Sequence, residues 1–317
     1  MNATDLNRRR PPRRAVPPAE AITRRNFLQA AAVGSVACLT GTTGCRHPGS
    51  SAAARSRLPI AFNTANLVAR FTHYRFELKR WGEQHKLTVA RTDEDAWRSI
   101  CRDIAAAGFH AVEIWEAHAA PETLTRERAA AWKRILDDHG LRPVAYAGHL
   151  SPETVQICQW LGIPHIDGGL GGLKPEQATA LCRASGVRFN LENHPEKNAE
   201  QILAPIGGGN DWLGVCIDTG WLGTQAAAVP ETIRACGRFV RHTHIKDVKA
   251  AGQHETCLLG TGVVNVAVAL RTLKEIGYRG WYAWEDEPED RNPFDSAVRN
   301  REWLQAELKR LRVAGTV

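Results

Sequence analysis

From about residue 58 onward, short apolar runs alternate with longer stretches of helical periodicity. The runs begin near Pro59 (PIAFNT), His110 (HAVEIWE), Arg142 (RPVAYAG), Ile163 (IPHIDGG), Arg188 (RFNLENH), Gly214 (GVCIDTG), Val240 (VRHTHIKD) and Trp281 (WYAWEDE). Each has the length and composition of a buried strand. The gaps predict helices over Asp93–Ala107, Arg126–His139, Pro152–Leu161, Pro175–Ser185, Pro230–Gly237 and Val264–Ile276. Gly108, Gly140, Gly186 and Gly277 supply the usual C-terminal stops. Eight strand–helix units in about 260 residues predict an α/β fold, a (β/α)8 TIM barrel occupying residues 58–317 as one domain. The alternative is an open doubly wound sheet, but no glycine-rich phosphate loop follows the first strand. The first gap, Asn66–Leu87, is longer and carries Phe71, Tyr74, Phe76 and Trp81, predicting an extra helix or lid near one mouth of the barrel.

Charge changes the picture mainly at the N-terminus. The 317 residues carry a formal charge of +7, but residues 1–45 alone hold seven Arg against Asp5 and Glu20. The rest of the chain is close to neutral, so the basicity says nothing about what the folded domain binds. Arg24-Arg25 precede a small-residue apolar run from Ala30 to Leu39, a pattern that resembles the twin-arginine export signal of bacteria. That run is too short to cross a bilayer, which takes about 20 apolar residues. Thr42-Thr43-Gly44-Cys45 reads as a lipoprotein cleavage box that departs from the usual pattern at Thr42. Residues 1–45 are therefore expected to be a signal peptide and residues 46–57 a small, polar linker. The expected location is the periplasm, with membrane anchoring only if Cys45 is lipidated. The later cysteines are scattered, forming neither a zinc ribbon nor a disulfide framework.

The candidate chemistry gathers where strands end, which in a barrel of this kind is one mouth. Glu192 closes the fifth run, Asp218 the sixth, His244 the seventh and Glu285 the eighth. Glu192 to Asp218 and Asp218 to His244 are both 26 residues, one strand–helix unit each, which predicts similar heights on neighbouring strands. Three buried carboxylates would repel and protonate unless something positive held them together. One divalent cation (Mn2+, Mg2+, Co2+ or Zn2+) suits this mixed oxygen and nitrogen set. Lys246 follows on the same strand face as His244 and is a candidate for an added positive charge. Glu287 is an alternative ligand. Asn63, Glu113, His149, His194 and Asn193 are candidates to line the mouth and bind hydroxyls, and Trp115, Trp221 and Trp284 to stack on a ring.

Together, Val112-Glu113-Ile114, Leu191-Glu192-Asn193-His194, Ile217-Asp218-Thr219-Gly220, His242-Thr243-His244-Ile245-Lys246-Asp247, Gly260-Thr261-Gly262 and Gly277-Tyr278-Arg279-Gly280-Trp281 resemble the xylose isomerase-like TIM barrels, a superfamily of sugar isomerases, ketose 3-epimerases, dehydratases and endonuclease IV. The resemblance implies that Glu192, Asp218, His244 and Glu285 hold the metal. It also implies that Glu192 and Glu285 exchange a proton with the carbon beside a carbonyl, through an enediolate. Two positions depart from the epimerase branch, Trp221 where it has His and Ala250 where it has Arg. The reading is a metal-dependent isomerase or epimerase of an unphosphorylated sugar. A keto-sugar dehydratase or 3-keto-glycoside lyase is the alternative, and a non-catalytic carbohydrate-binding barrel a weaker one. The expected partners are a small sugar and the twin-arginine export machinery, with no nucleic acid. A homo-oligomer is compatible with the sequence.

Overall fold

A computed structural model describes residues 57–315. The expected signal peptide, Cys45 and residues 46–56 of the expected linker lie outside the described residues. The eight strands are β1 (Ile60–Asn63), β2 (Ala111–Trp115), β3 (Arg142–Ala147), β4 (His165–Gly168), β5 (Arg188–Glu192), β6 (Leu213–Asp218), β7 (Val240–Ile245) and β8 (Tyr282–Trp284). They pair in sequence order, all parallel, and β8 closes on β1. The architecture is a (β/α)8 barrel, as the alternation of runs predicts.

The helices start where local chemistry supplies a cap. Asp93, Thr125 and Ser151 each accept a backbone N–H from the first turn of the helix that follows. Such caps are worth about 1 kcal/mol each. Pro152 and Pro175 stand at first helical positions, where a missing N–H costs nothing. Five of the six expected helices match to within one residue at each boundary; Val266–Glu275 starts two residues later than its expected Val264–Ile276. The 17-residue helix Phe294–Arg310 was not expected. Its apolar stripe is thin, with Ala297, Leu304 and Leu308 buried beside the polar Ser296 and Asn300, so the periodicity is masked by charged neighbours.

Alternation along each strand decides what faces the barrel interior. Outward residues such as Phe62, Val112, Ile114, Ile166, Val215, Ile217 and Ile245 pack under the helices in the main core. Inward positions near the base are small: Ala61, Ala111, Ala145 and Ala283 form their own cluster. Above them the interior is polar instead of the usual branched aliphatic layers. Asn63, Glu113, Asp167, Asn190, His242 and His244 are all buried there. Trp284, a candidate to stack on a sugar, points the other way. It is 1% exposed and packs on Phe62 and Phe109, with ring centroids 5.4 and 6.0 Å apart.

Among the described residues the cysteines are free, and all but Cys257 are buried. No described helix is long and apolar enough to cross a membrane.

Candidate metal centre

Strand register sets the ligand heights. Asp218 pairs directly with His244, whereas Glu192 pairs with Cys216, two residues lower on β6. Ile245 pairs with Trp284, which puts Glu285 one residue past the end of β8. One ligand atom each from Glu192, Asp218, His244 and Glu285 lies within 4.8 Å of the others. His244 Nδ1 is 2.5 Å from Glu192 Oε1 and 3.5 Å from Glu285 Oε2.

Asp218 carries the test of whether a cation fits. Its Oδ1 accepts the N–H groups of Gly220 and Trp221 at 2.7 and 3.0 Å, capping the helix Thr219–Thr224. Its Oδ2 is buried and accepts nothing; Lys246 Nζ stands 3.6 Å away, beyond hydrogen-bond reach. A buried carboxylate oxygen without a donor costs about 1–3 kcal/mol or more. A divalent cation at this point would relieve that cost and the repulsion between three carboxylates. The residues therefore fit a metal ion, with three hard oxygen donors and one imidazole.

The two glutamates are driven apart in proton affinity. Burial alone would raise Glu192, but His194 and His244 more than reverse this and hold it low. Burial and the neighbouring Glu287 push Glu285 well above the usual carboxylate range. Burial would lower His244, yet the acidic groups around it, Glu113, Glu285 and Glu192 among them, hold it well above its ordinary value. Without metal, then, Glu285 and His244 both hold their protons to higher pH than usual, and both must lose them to ligate. Metal affinity is expected to rise with pH through the neutral range, by up to about 100-fold per pH unit if both protons are released. Calorimetry in buffers of different ionisation enthalpy checks the proton count; affinity that is flat between about pH 6 and 8 would contradict it.

Asn63 and Glu113 lie beneath the ligands and do not line the mouth, a correction to their expected role. Both are fully buried and their strands pair them with each other. Asn63 Nδ2 donates to Glu285 Oε1 at 3.0 Å, while Glu113 joins His244 Nε2 and His242 Nε2, each at 3.0 Å. Such partners orient a ligand without touching what binds to it. Below them, Asp167 is bonded to His165 at 2.8 Å and to Asn190 at 2.7 Å. This inner layer was not anticipated as a unit. Its signal is the period-two placement of His165/Asp167, Asn190/Glu192 and His242/His244 within apolar runs. Two further groups there, Glu113-His242-His244 and His165-Asp167-His242, also bring potential ligand atoms within 4.8 Å.

Asn193, a candidate hydroxyl binder, is buried and latches the backbone of Asp218. It donates to the Asp218 carbonyl at 3.0 Å and accepts the Asp218 N–H at 2.9 Å. Lys246 is buried beside the cluster, 3.2 Å from Glu285 Oε2 and 2.5 Å from Glu287 Oε2. Both Lys246 and Glu287 are thereby tied into an ion-pair network at one flank of the centre.

Above the ligands opens a cavity of about 700 Å³. Its floor includes Glu192, His244 and Glu285, and His149, His194 and Trp221 line its walls. Trp115 is in the wall too, under the segment after β1, where the helix Trp81–Arg91 contributes Trp81 and His85. The Trp81 and Trp115 rings are 5.1 Å apart. The expected lid is therefore a fixed wall of the mouth. Phe76 N–H donates to the Glu289 carbonyl at 2.9 Å, and Leu78 N–H to the Glu289 carboxylate, pinning the wall to the loop after β8.

The Gly260-Thr261-Gly262 loop is organised by Asp247, whose carboxylate accepts the N–H groups of Val248, Gly260, Gly262 and Val264 at 2.9–3.1 Å. Replacing Asp247 with Ala is expected to cost about 3–5 kcal/mol of unfolding free energy, since four backbone donors, two of them buried, lose a charged acceptor. Denaturant melts check this, and a loss under about 1 kcal/mol would contradict the assignment.

The comparisons with known proteins agree with this fold. No curated protein matches the sequence. Among solved structures, the chain is similar to an L-ribulose 3-epimerase, with TM-score 0.59 and 18% identity over 80% of this chain and 96% of that one. It is similar to a probable 3-DHS dehydratase from Bacillus anthracis, with TM-score 0.56 and 14% identity over 78% and 99%. A xylose isomerase-like TIM barrel protein from Mycobacterium smegmatis, in complex with magnesium, gives TM-score 0.61 and 17% identity over 80% and 97%. At these identities the likeness establishes the fold. The family profile described as xylose isomerase-like TIM barrel matches residues 101–307, most of the described barrel. This chain belongs to the xylose isomerase-like TIM barrel family.

Proposed function

We propose that the protein is a divalent-metal-dependent isomerase or epimerase of an unphosphorylated sugar. The observation that carries this reading is the pairing of a four-ligand centre with two glutamates of opposite proton affinity at the floor of one cavity. Glu192, held ionised, is the base that takes the proton from the carbon beside a carbonyl. The electron pair moves into a new carbon–carbon double bond and the carbonyl oxygen becomes an enediolate oxygen. Glu285, the glutamate with the higher proton affinity, is matched to the opposite step, delivering a proton to the other face or the neighbouring carbon. Glu192, Asp218, His244 and Glu285 would hold the metal, and such an ion polarises the substrate carbonyl and stabilises negative charge on its oxygen. Asn63 and Glu113 fix Glu285 and His244, and Trp81 and Trp115 supply an apolar wall.

The cavity lining supports an unphosphorylated substrate, because no Arg or Lys is among its described residues. The magnesium complex of the Mycobacterium smegmatis neighbour makes Mg2+ the first ion to test, with Mn2+ beside it. We further propose export to the periplasm through the arginine-paired leader, with anchoring at Cys45.

A second reading, elimination from a keto-sugar or 3-keto-glycoside, is favoured by Trp221. It lines the cavity where the epimerase pattern places a sugar-gripping His, and it stacks edge-on against His194 at 4.6 Å. About 700 Å³ also leaves room beyond one sugar ring. The two readings share the first proton transfer and part afterwards. Incubation of metal-loaded protein with free ketoses and with 3-keto-glucosides separates them. A configurational isomer supports the first, an unsaturated product with loss of water or aglycone the second, and conversion of none of these substrates contradicts both.

A further inference from the structure

Arginines cluster at the end of the barrel opposite the metal centre, around the feet of β3, β5 and β7. Arg142 opens β3, Arg188 opens β5 and Arg241 lies near the start of β7, with Arg238 and Arg279 on adjoining turns. A cavity of about 390 Å³ opens there between the strand feet, lined by Arg188, Arg238, Arg241 and Arg279 together with His165 and Asn190, and no carboxylate lines it. Among the described residues, none of these four arginines has a carboxylate within 4.0 Å, although ion pairs are numerous elsewhere on the surface. Arg241 is fixed instead by the backbone carbonyls of Asn210 and Asp211, at 2.5 and 3.0 Å. Arg238 lies over the Phe239 ring, 4.9 Å from its centroid.

The surrounding groups register this concentration of charge. Arg241 is held below its ordinary value by burial and by Arg188, with Asp211 only partly offsetting them and Arg238 adding to the effect. On the same face, His110 is held down by burial and by Arg57 and Arg142. Acids gather at the mouth in the cluster Glu192, Asp218 and Glu285, while arginines surround the cavity at the base.

The covalent path of the chain points to what meets this base. The described residues begin at Arg57, immediately before β1, so the leader joins the barrel at its basic end. Cys45 precedes Arg57 by 12 residues, a reach of about 40 Å when extended. The cations are arginines, whose planar fork matches phosphate oxygens two at a time.

We propose that the base of the barrel docks on an anionic phospholipid surface, with headgroup phosphates engaging Arg188, Arg238 and Arg279 around the cavity. The tether argument rests on the reading of Cys45 as an anchor; the charge argument does not. In this orientation the metal centre faces away from the bilayer, open to a soluble sugar.

The test is sedimentation of the full chain with vesicles of phosphatidylcholine alone or with about one-third phosphatidylglycerol. The variant R188E/R238E/R279E is compared with R126E/K133E/R271E, an equal charge change on exposed residues of the helical flank. All three proteins share the same leader, so its arginines cancel in the comparison. Each surface arginine contributes about fivefold to binding of anionic lipid. The base variant is therefore expected to bind anionic vesicles about 100-fold more weakly, with the flank variant within about threefold of the parent. Equal losses in both variants would overturn the proposal, as would equal binding to neutral vesicles. Release of the vesicles by low-millimolar inorganic phosphate, at constant ionic strength, would also overturn it, showing a site for free phosphate. Metal binding and sugar conversion in the same preparations report separately on the catalytic reading, which stands or falls independently.

Discussion

Glu192→Gln is expected to lower turnover by at least a thousandfold while leaving sugar binding within a few-fold. The substitution keeps the shape of the side chain and removes the ionised oxygen that takes the proton. General-base contributions alone run to about 100- to 10,000-fold. Glu192 Oε1 also lies 2.5 Å from His244 Nδ1 and faces the cavity, so the loss falls on both the base and the metal centre. Measured KM and kcat separate this from a structural effect: kcat should collapse and KM should change little. A variant retaining a tenth of the parental kcat would remove Glu192 from the reaction. Glu285→Gln is expected to behave similarly, with one difference. Its Oε1 accepts from Asn63, so an amide there leaves Asn63 facing either a second NH2 or a rotated carbonyl.

Asp218→Asn is expected to weaken metal binding by at least a thousandfold with little change in unfolding free energy. The reason is the division of labour between its two oxygens. Oδ1 caps the helix that follows β6, and an asparagine oxygen can do the same. Oδ2 has no donor and is the atom left for a cation, which the asparagine NH2 group would repel. Residues behind metal ligands typically cost 10- to 100-fold when changed, so a true ligand should exceed that. Asp218→Ala removes the cap as well and should add about 1 kcal/mol of destabilisation. Titration with Mn2+ followed by electron paramagnetic resonance, beside denaturant melts, distinguishes the cases. Unchanged affinity in Asp218→Asn would refute the centre as drawn.

Much of this was legible from residue order alone. The eight strands were readable because each is a short apolar run bounded by turn residues, and the cluster Glu192, Asp218, His244 and Glu285 because each closes such a run, the first three 26 residues apart. Two kinds of feature escaped. The helix Phe294–Arg310 hides its thin apolar stripe among charges, so its pattern is too weak to read without the core it packs on. Side-chain direction was harder still. Trp115 and Trp284 both stand at strand ends, yet the first faces the cavity and the second the helical layer. Asn63 and Glu113 were read as rim residues, whereas the inward positions of β1 and β2 place them under the ligands. A fully buried parallel strand is apolar on both faces, so its inward register is not marked by alternation. Here the marker was the polar residues themselves.

The most direct test of proton transfer at this centre is proton NMR of a ketose incubated in D2O with the Mg2+- or Mn2+-loaded protein. Metal-free protein and Glu192→Gln serve as controls. Loss of the proton signal at the carbon beside the carbonyl, with deuterium in its place, is the predicted result for the loaded parent; both controls should be silent on the same timescale. Isomerisation or elimination without solvent exchange at that carbon, or exchange that persists in the metal-free protein, would contradict an enediolate formed by Glu192 and Glu285.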